Sequence, residues 1–115
     1  MLLNLSNHPS SQWPEVQLQT AIRLYGALVD LPFPVISPTF SSTDLDLLVH
    51  QFEQTIMDMN PAAVHIMGEM TFTFRLVNVL KAKSIRCLAS TTERIATVEN
   101  GVKTSQFKFI QFRNY

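Results

Sequence analysis

Four short polar clusters contain the residues of this chain best suited to chemistry: Ser6-Asn7-His8-Pro9, Pro32-Phe33-Pro34, Gly68-Glu69-Met70-Thr71 and Ser90-Thr91-Thr92-Glu93-Arg94. His8 carries an imidazole that can donate to a phosphate or act as a general acid or base. Ser6, Asn7, Ser90, Thr91 and Thr92 supply hydroxyl and amide groups suited to ribose and phosphate oxygens, and Arg94 supplies a guanidinium fork. Gly68 lacks a Cβ and lets backbone approach a ligand, while the N–H groups near Thr71 would open a helix whose positive end suits an anion. Glu69 opposes that use, because a carboxylate at the same mouth repels phosphate unless it binds a ribose hydroxyl, pairs with an arginine or caps the helix itself. Capping and ligand binding stand level for Glu69. The Ser90–Arg94 cluster reads equally as a polar connection with Arg94 paired to Glu69 or Glu93. His65, flanked by Val64 and Ile66, and His50, on the polar side of a helix, take packing or solvent exposure as their default. Trp13, Phe33, Phe72 and Phe74 could stack on a base, although such rings more often form core.

The clusters acquire meaning from the elements between them. Leu2–Leu5 is too short for a stable helix and is followed by Asn7 and Pro9, which makes it a strand. Ser10 or Ser11 can cap a helix with Pro14 in its first turn, in which Val16, Thr20, Ala21, Leu24 and Tyr25 recur at helical spacing as far as Gly26. Ala27–Leu31 is the second strand, stopped by Pro32, Pro34 and Pro38. Thr43 with Asp46 forms a variant capping box before a helix bearing Leu45, Leu48, Val49, Phe52, Ile56 and Met59. Asn60-Pro61 ends it, and Ala62–Met67 is an apolar run of the kind a central parallel strand requires. A helix from near Thr71 buries Phe72, Leu76, Val79 and Leu80, and Ile85–Ala89 is the fourth strand. Ile95–Glu99 and Ser105–Phe112 flank Asn100-Gly101, a strong hairpin signal, and the aromatic residues on both faces of the second strand suit either the sheet or another subunit. The pattern specifies an α/β fold: a single Rossmann-like three-layer domain over residues 1–115, its sheet mainly parallel with a C-terminal antiparallel β-hairpin. Right-handed crossovers with short connections place the first and third strands side by side, so that Asn7, His8, Gly68 and Glu69 meet at a topological switch point.

Composition narrows the partners. A chain of 115 residues, 46% hydrophobic and 16% charged, fits one core. Cys87 is the single cysteine and lies in an apolar run, so the expectation is a buried inert thiol and a reducing cytoplasm. No signal peptide and no apolar stretch of about 18 residues is present, which argues against secretion and membrane spanning. The net charge of zero conceals a division: residues 1–74 carry one Arg and seven acids, and residues 75–115 carry eight Lys or Arg and two acids, formally −6 and +6. That division either draws in an anionic ligand or neutralises itself across the fold. No dense basic run marks a groove for duplex DNA. No set of His, Cys and carboxylates has metal-ligand spacing, and no Gly-x-Gly-x-x-Gly, P-loop or Gly-x-Ser-x-Gly elbow occurs, so neither a metal nor a cofactor is expected.

The opening Leu3-Asn4-Leu5-Ser6-Asn7-His8-Pro9, Trp13, Gly68-Glu69, Ser90-Thr91-Thr92-Glu93-Arg94 and the ending Phe107-Lys108-Phe109-Ile110-Gln111-Phe112-Arg113-Asn114-Tyr115 together resemble a family of small CRISPR-associated proteins. A first strand ending in an Asn-His pair is also similar to the start of other small single-domain CRISPR-associated proteins of Rossmann-like fold, suspected ring nucleases. The resemblance implies a homodimeric domain related to the CARF sensor modules that bind cyclic oligoadenylate, with the ligand across the dimer axis and cleavage switching off an antiviral signal. It implies that Asn7 and His8 bind ribose or assist proton transfer, that Gly68 and Thr71 cradle phosphate, and that Arg94 stabilises developing charge. The chain lacks the lysine beside a glycine-rich phosphate loop found in better-known ring nucleases.

Three functions follow as expectations. The first is metal-independent cleavage of cyclic oligoadenylate, with His8 and Arg94 as catalytic groups and Ser6, Asn7, Gly68, Glu69, Thr71, Ser90, Thr91 and Thr92 as ligand-binding groups. The second is a nucleotide sensor or adaptor that signals through its hairpin without turnover. The third is a nucleoside-processing transferase or hydrolase with Glu69 as nucleophile or base near a ribose.

Overall fold

Two apolar pentapeptides, each short and rich in branched side chains, form the middle of the sheet. In the computed structural model, which describes residues 1–115, they are β1 (Leu2–Ser6) and β3 (Ala63–Met67), paired in parallel from Leu2 opposite Ala63 to Ser6 opposite Met67. Both are covered on both faces, which is why their sequences run nearly continuously apolar. Around them the chain adds β2 (Leu28–Asp30), β4 (Cys87–Glu99) and β5 (Val102–Asn114), giving the order β2-β1-β3-β4-β5. The first four strands are parallel and β5 is antiparallel to β4. Between them run α1 (Glu15–Tyr25), α2 (Ser42–Met59) and α3 (Met70–Ala82).

Alternation along the strands assigns the two faces. Leu3, Leu5, Val64 and Ile66 join Leu45, Val49 and Ile56 of α2 and Phe72, Leu76 and Leu80 of α3 in the larger core. Leu2, Ala63 and Leu88 meet Trp13 and Ala21 on the opposite face, under α1. The molecule is the expected Rossmann-like three-layer α/β sandwich, with β1 beside β3 at the switch point. No helix is long and apolar enough to cross a membrane.

Several local expectations are corrected. Ser10–Gln12 forms a 3-10 turn, Pro14 is the N-cap of α1, and neither Ser10 nor Ser11 caps it. Val16 and Leu24 of α1 are exposed; the helix buries Ala21 as expected, with Gln17 beside it. The capping box of α2 is Ser41 with Asp44, three residues apart as the motif requires, not Thr43 with Asp46. Val79 is half-buried rather than buried.

The largest departure is at the C-terminal hairpin. Ile85–Ala89 and Ile95–Glu99 are not separate strands: Cys87 to Glu99 is one strand without Gly or Pro to interrupt it, and Thr91 and Thr92 are β-branched residues that suit a pleated ribbon. The Ser90–Arg94 cluster is therefore strand and not a connection. Asn100 and Gly101 adopt left-handed conformations with φ of 51° and 76°, as a tight hairpin turn requires. Thr91 faces Gln111 but Thr92 faces Phe109, so Ile110 is the extra residue of a bulge. The outer arm projects beyond the helices, stretching the molecule to 51 × 37 × 21 Å, and leaves Val98 65% and Phe107 69% exposed.

Candidate functional site

Across the α1 face of the sheet, one level of side chains is polar although its neighbours are apolar. The level below contains Leu28, Leu2 and Ala63; the next contains Asp30, Asn4 and His65, placed opposite one another by the strand registers. Asn4 Nδ2 donates to Asp30 Oδ1 at 2.9 Å and to the His8 carbonyl at 3.0 Å. Asn4 Oδ1 accepts from Ser6 Oγ at 2.8 Å and lies 3.0 Å from His65 Nδ1. The opposite amide orientation would press its oxygen against a carboxylate and a carbonyl, so the network itself fixes the flip. His65 Nδ1 therefore carries the proton, and Nε2 presents a lone pair to Ser90 Oγ at 3.2 Å. His65 is fully buried; burial, and secondarily the positive charge of His8, pushes its pKa down to about 4, so the ring is neutral at physiological pH.

His65, the end of this row, lies in the floor of a cleft at the carboxyl ends of the central strands. β3 and β4 pair only at Val64 with Cys87 and His65 with Leu88. Beyond that point the Ser90 N–H donates to Met67 Sδ at 3.3 Å, a weak acceptor, and the strands part. The resulting cavity has a volume of about 590 Å³ and is walled by Gln12, Trp13 and Gln17 from the α1 side and by Phe107 and Phe109 from β5. The bulge at Ile110 turns Phe109 and Phe112 to the same face, where their ring centroids lie 5.0 Å apart. Phe112 and Trp13 meet His65 edge-on at 5.6 and 5.2 Å, and Trp13 Nε1 donates to the His8 carbonyl at 3.0 Å. No Asp, Glu, Lys or Arg lines the cavity.

The candidate residues divide clearly. Ser6, Asn7, His8, Gly68, Ser90 and Thr92 line this cavity together. Thr91 does not, its hydroxyl donating to the Gln111 carbonyl. Arg94 is on the exposed arm and bonds Ser105 Oγ at 3.1 and 3.3 Å, pairing with neither Glu69 nor Glu93. Glu69 is the N-cap of α3: its carboxylate accepts from the N–H groups of Phe72 and Thr71 and from the Thr71 hydroxyl, and these bonds hold its pKa below the ordinary value. The anion position at α3 is thus filled by the chain's own carboxylate. Gly68 stands where it does because the Phe33 ring lies over it; an added Cβ would come within 2.3 Å of that ring. Phe33 and Phe72 belong to the core, as does the Cys87 thiol, whose pKa burial raises to about 11.

The charge division is partly absorbed inside the fold. Arg75 pairs with Asp46 at 3.1 Å and Lys83 pairs with Glu53, both between α3 and α2. No group of three or more His, Cys, Asp and Glu side chains is placed to hold a metal ion. The cavity and network residues that sequence reasoning did not place here are Asn4, Asp30, His65, Gln12, Gln17, Phe107 and Phe109. A signal for three of them existed: single polar residues inside apolar strands, which a buried sheet tolerates only when they satisfy one another.

The chain belongs to the Uncharacterized protein MJ1673 family, whose model matches residues 1–113. A search of curated proteins found no match.

Proposed function

We propose that this protein binds a cyclic oligoadenylate at the switch-point cavity of a homodimer and opens the ring without a metal ion. The observation that carries this reading is the cavity wall. Exposed aromatic surface at Phe107, with Phe109 and Trp13 behind it, offers faces for a purine, and the Gln12 and Gln17 amides match the donor and acceptor pair on an adenine edge. At the lip, His8 is exposed beside Asn7, Ser6 and Thr92, groups that reach ribose and phosphate oxygens. In the reaction a ribose 2′-OH attacks the adjacent phosphorus and the bond to the 5′ oxygen breaks, leaving a 2′,3′-cyclic phosphate and a 5′-hydroxyl. His8 takes or returns the proton, and Arg94, which lies outside the cavity on Ser105 Oγ, exchanges that bond for the phosphate charge. A ring of several nucleotides exceeds one cavity, and the unpartnered apolar residues of the arm favour a second copy beside the first.

The same cavity supports a second reading, a CRISPR-associated sensor that holds the ring unbroken and passes the signal through the arm. The reading with Glu69 as nucleophile or base is not retained, because its carboxylate is engaged at the α3 cap and lies outside the cavity.

Incubation with cyclic tri-, tetra- and hexa-adenylate in EDTA, with products separated by chromatography and binding measured in parallel, distinguishes these outcomes. Linear products ending in 2′,3′-cyclic phosphate are expected. Binding without products leaves the sensor, and absence of binding at high protein concentration removes both.

A further inference from the structure

We infer that Ser90 is a covalent nucleophile with His65 as its base, a centre that hydrolyses uncharged esters carrying a planar ring. The inference does not depend on cyclic oligoadenylate. It rests on a chain of contacts in which each member determines the next. Asp30 and the His8 carbonyl fix the amide of Asn4; Asn4 Oδ1 fixes the proton on His65 Nδ1; the bare Nε2 then faces Ser90 Oγ at 3.2 Å. Met67 Sδ lies 3.0 Å from the same hydroxyl but is a far weaker acceptor than an imidazole nitrogen. A hydroxyl, a base within hydrogen-bond reach and a third group orienting the base are the arrangement that activates serine.

The surroundings suit the chemistry. Ser90 and His65 both line the cavity, whose polar groups are uncharged and whose aromatic rings accept a planar group. Two backbone donors are available there for an oxyanion: the Ser90 N–H, which has the Met67 sulfur as a weak acceptor, and the Gly68 N–H, which makes no hydrogen bond within the protein. In the first step Ser90 Oγ bonds to the carbonyl carbon, its proton passes to His65 Nε2, and that proton leaves with the departing alcohol. In the second, water gives its proton to His65 and its oxygen to the acyl carbon, and Ser90 recovers the proton as it departs. Asn4 and Asp30 act as positioning residues.

The test uses the wild-type chain with p-nitrophenyl acetate and with an aryl fluorophosphonate, the adduct being located by tandem mass spectrometry. An adduct on Ser90 is expected, formed at a rate that stays level as pH falls from 7 to 5, because His65 titrates near 4 rather than 6.5. Ser90→Ala should abolish it, and His65→Gln should slow it about 100-fold at pH 7. Ser90→Cys should restore acylation at the same position. An adduct elsewhere, none beyond that of urea-denatured protein, or undiminished labelling of a folded His65→Gln variant overturns the assignment.

Discussion

Acid should destabilise this protein through His65. The unfolded imidazole takes a proton near 6.5 and the buried one only near 4. Between those values the unfolded chain binds more protons than the folded one, so stability rises with pH and is lost as pH falls through the window. At about 1.4 kcal/mol per pKa unit, the loss reaches about 3 kcal/mol by pH 4, a large share of the stability of a domain this size. Urea denaturation at steps from pH 7.5 to 4, followed by the fluorescence of the buried Trp13, measures it. His65→Gln lacks the titrating group and keeps an amide for Asn4, so its stability should fall much less across the same range. The capping carboxylates Asp44 and Glu69, both held below their ordinary values by N–H donors, also lose stability in acid, and they do so equally in both proteins. Subtracting the variant removes them. Parallel curves for wild type and His65→Gln would refute a buried neutral imidazole.

Three further outcomes follow from contacts elsewhere. Glu69→Ala removes the side-chain acceptor at the α3 N-terminus and should lower stability by about 1 kcal/mol in a thermal melt. Gly68→Ala drives a Cβ into the Phe33 ring and should cost about 1–3 kcal/mol; combined with Phe33→Ala, the two losses should sum to more than the double variant shows, because the clash is shared. His8→Ala and Arg94→Ala alter exposed side chains, so the unfolding free energy in urea should change by less than about 0.5 kcal/mol while cyclic oligoadenylate binding, measured by calorimetry, weakens about tenfold.

The α/β order was legible because its signals are local. Apolar runs of strand length, Pro32 and Pro34, the Asn60-Pro61 stop and the Asn100-Gly101 turn each act on their own neighbours, and right-handed crossovers between the elements they delimit put β1 beside β3. The half of the site that projects from strand ends, His8 and Gly68 with their neighbours, was legible for the same reason. The other half depends on register. Nothing near Asn4 in the chain says that Asp30 and His65 will stand opposite it, and the expectation that His65 is a packed strand residue describes its burial but omits its partners. The aromatic wall was hidden by a single residue: without the bulge at Ile110, Phe109 and Phe112 alternate to opposite faces and cannot both reach the cavity side.

What the sheet does at that level runs against its own stability. An apolar set opposite Leu2, Leu28 and Ala63 could have continued upward, and buried polar rows are often no more stable than apolar ones of equal volume. The row is polar only where the strands approach their carboxyl ends, and the Ser90 hydroxyl that His65 reaches lies two residues past Leu88, where β4 leaves β3. The β3–β4 ladder ends at Leu88, and Ser90 Oγ stands between an imidazole and an open cavity. Every polar member of this network has a partner inside the protein, yet its last pair, the unprotonated His65 Nε2 and the Ser90 hydroxyl, lines the space in which a ligand would lie.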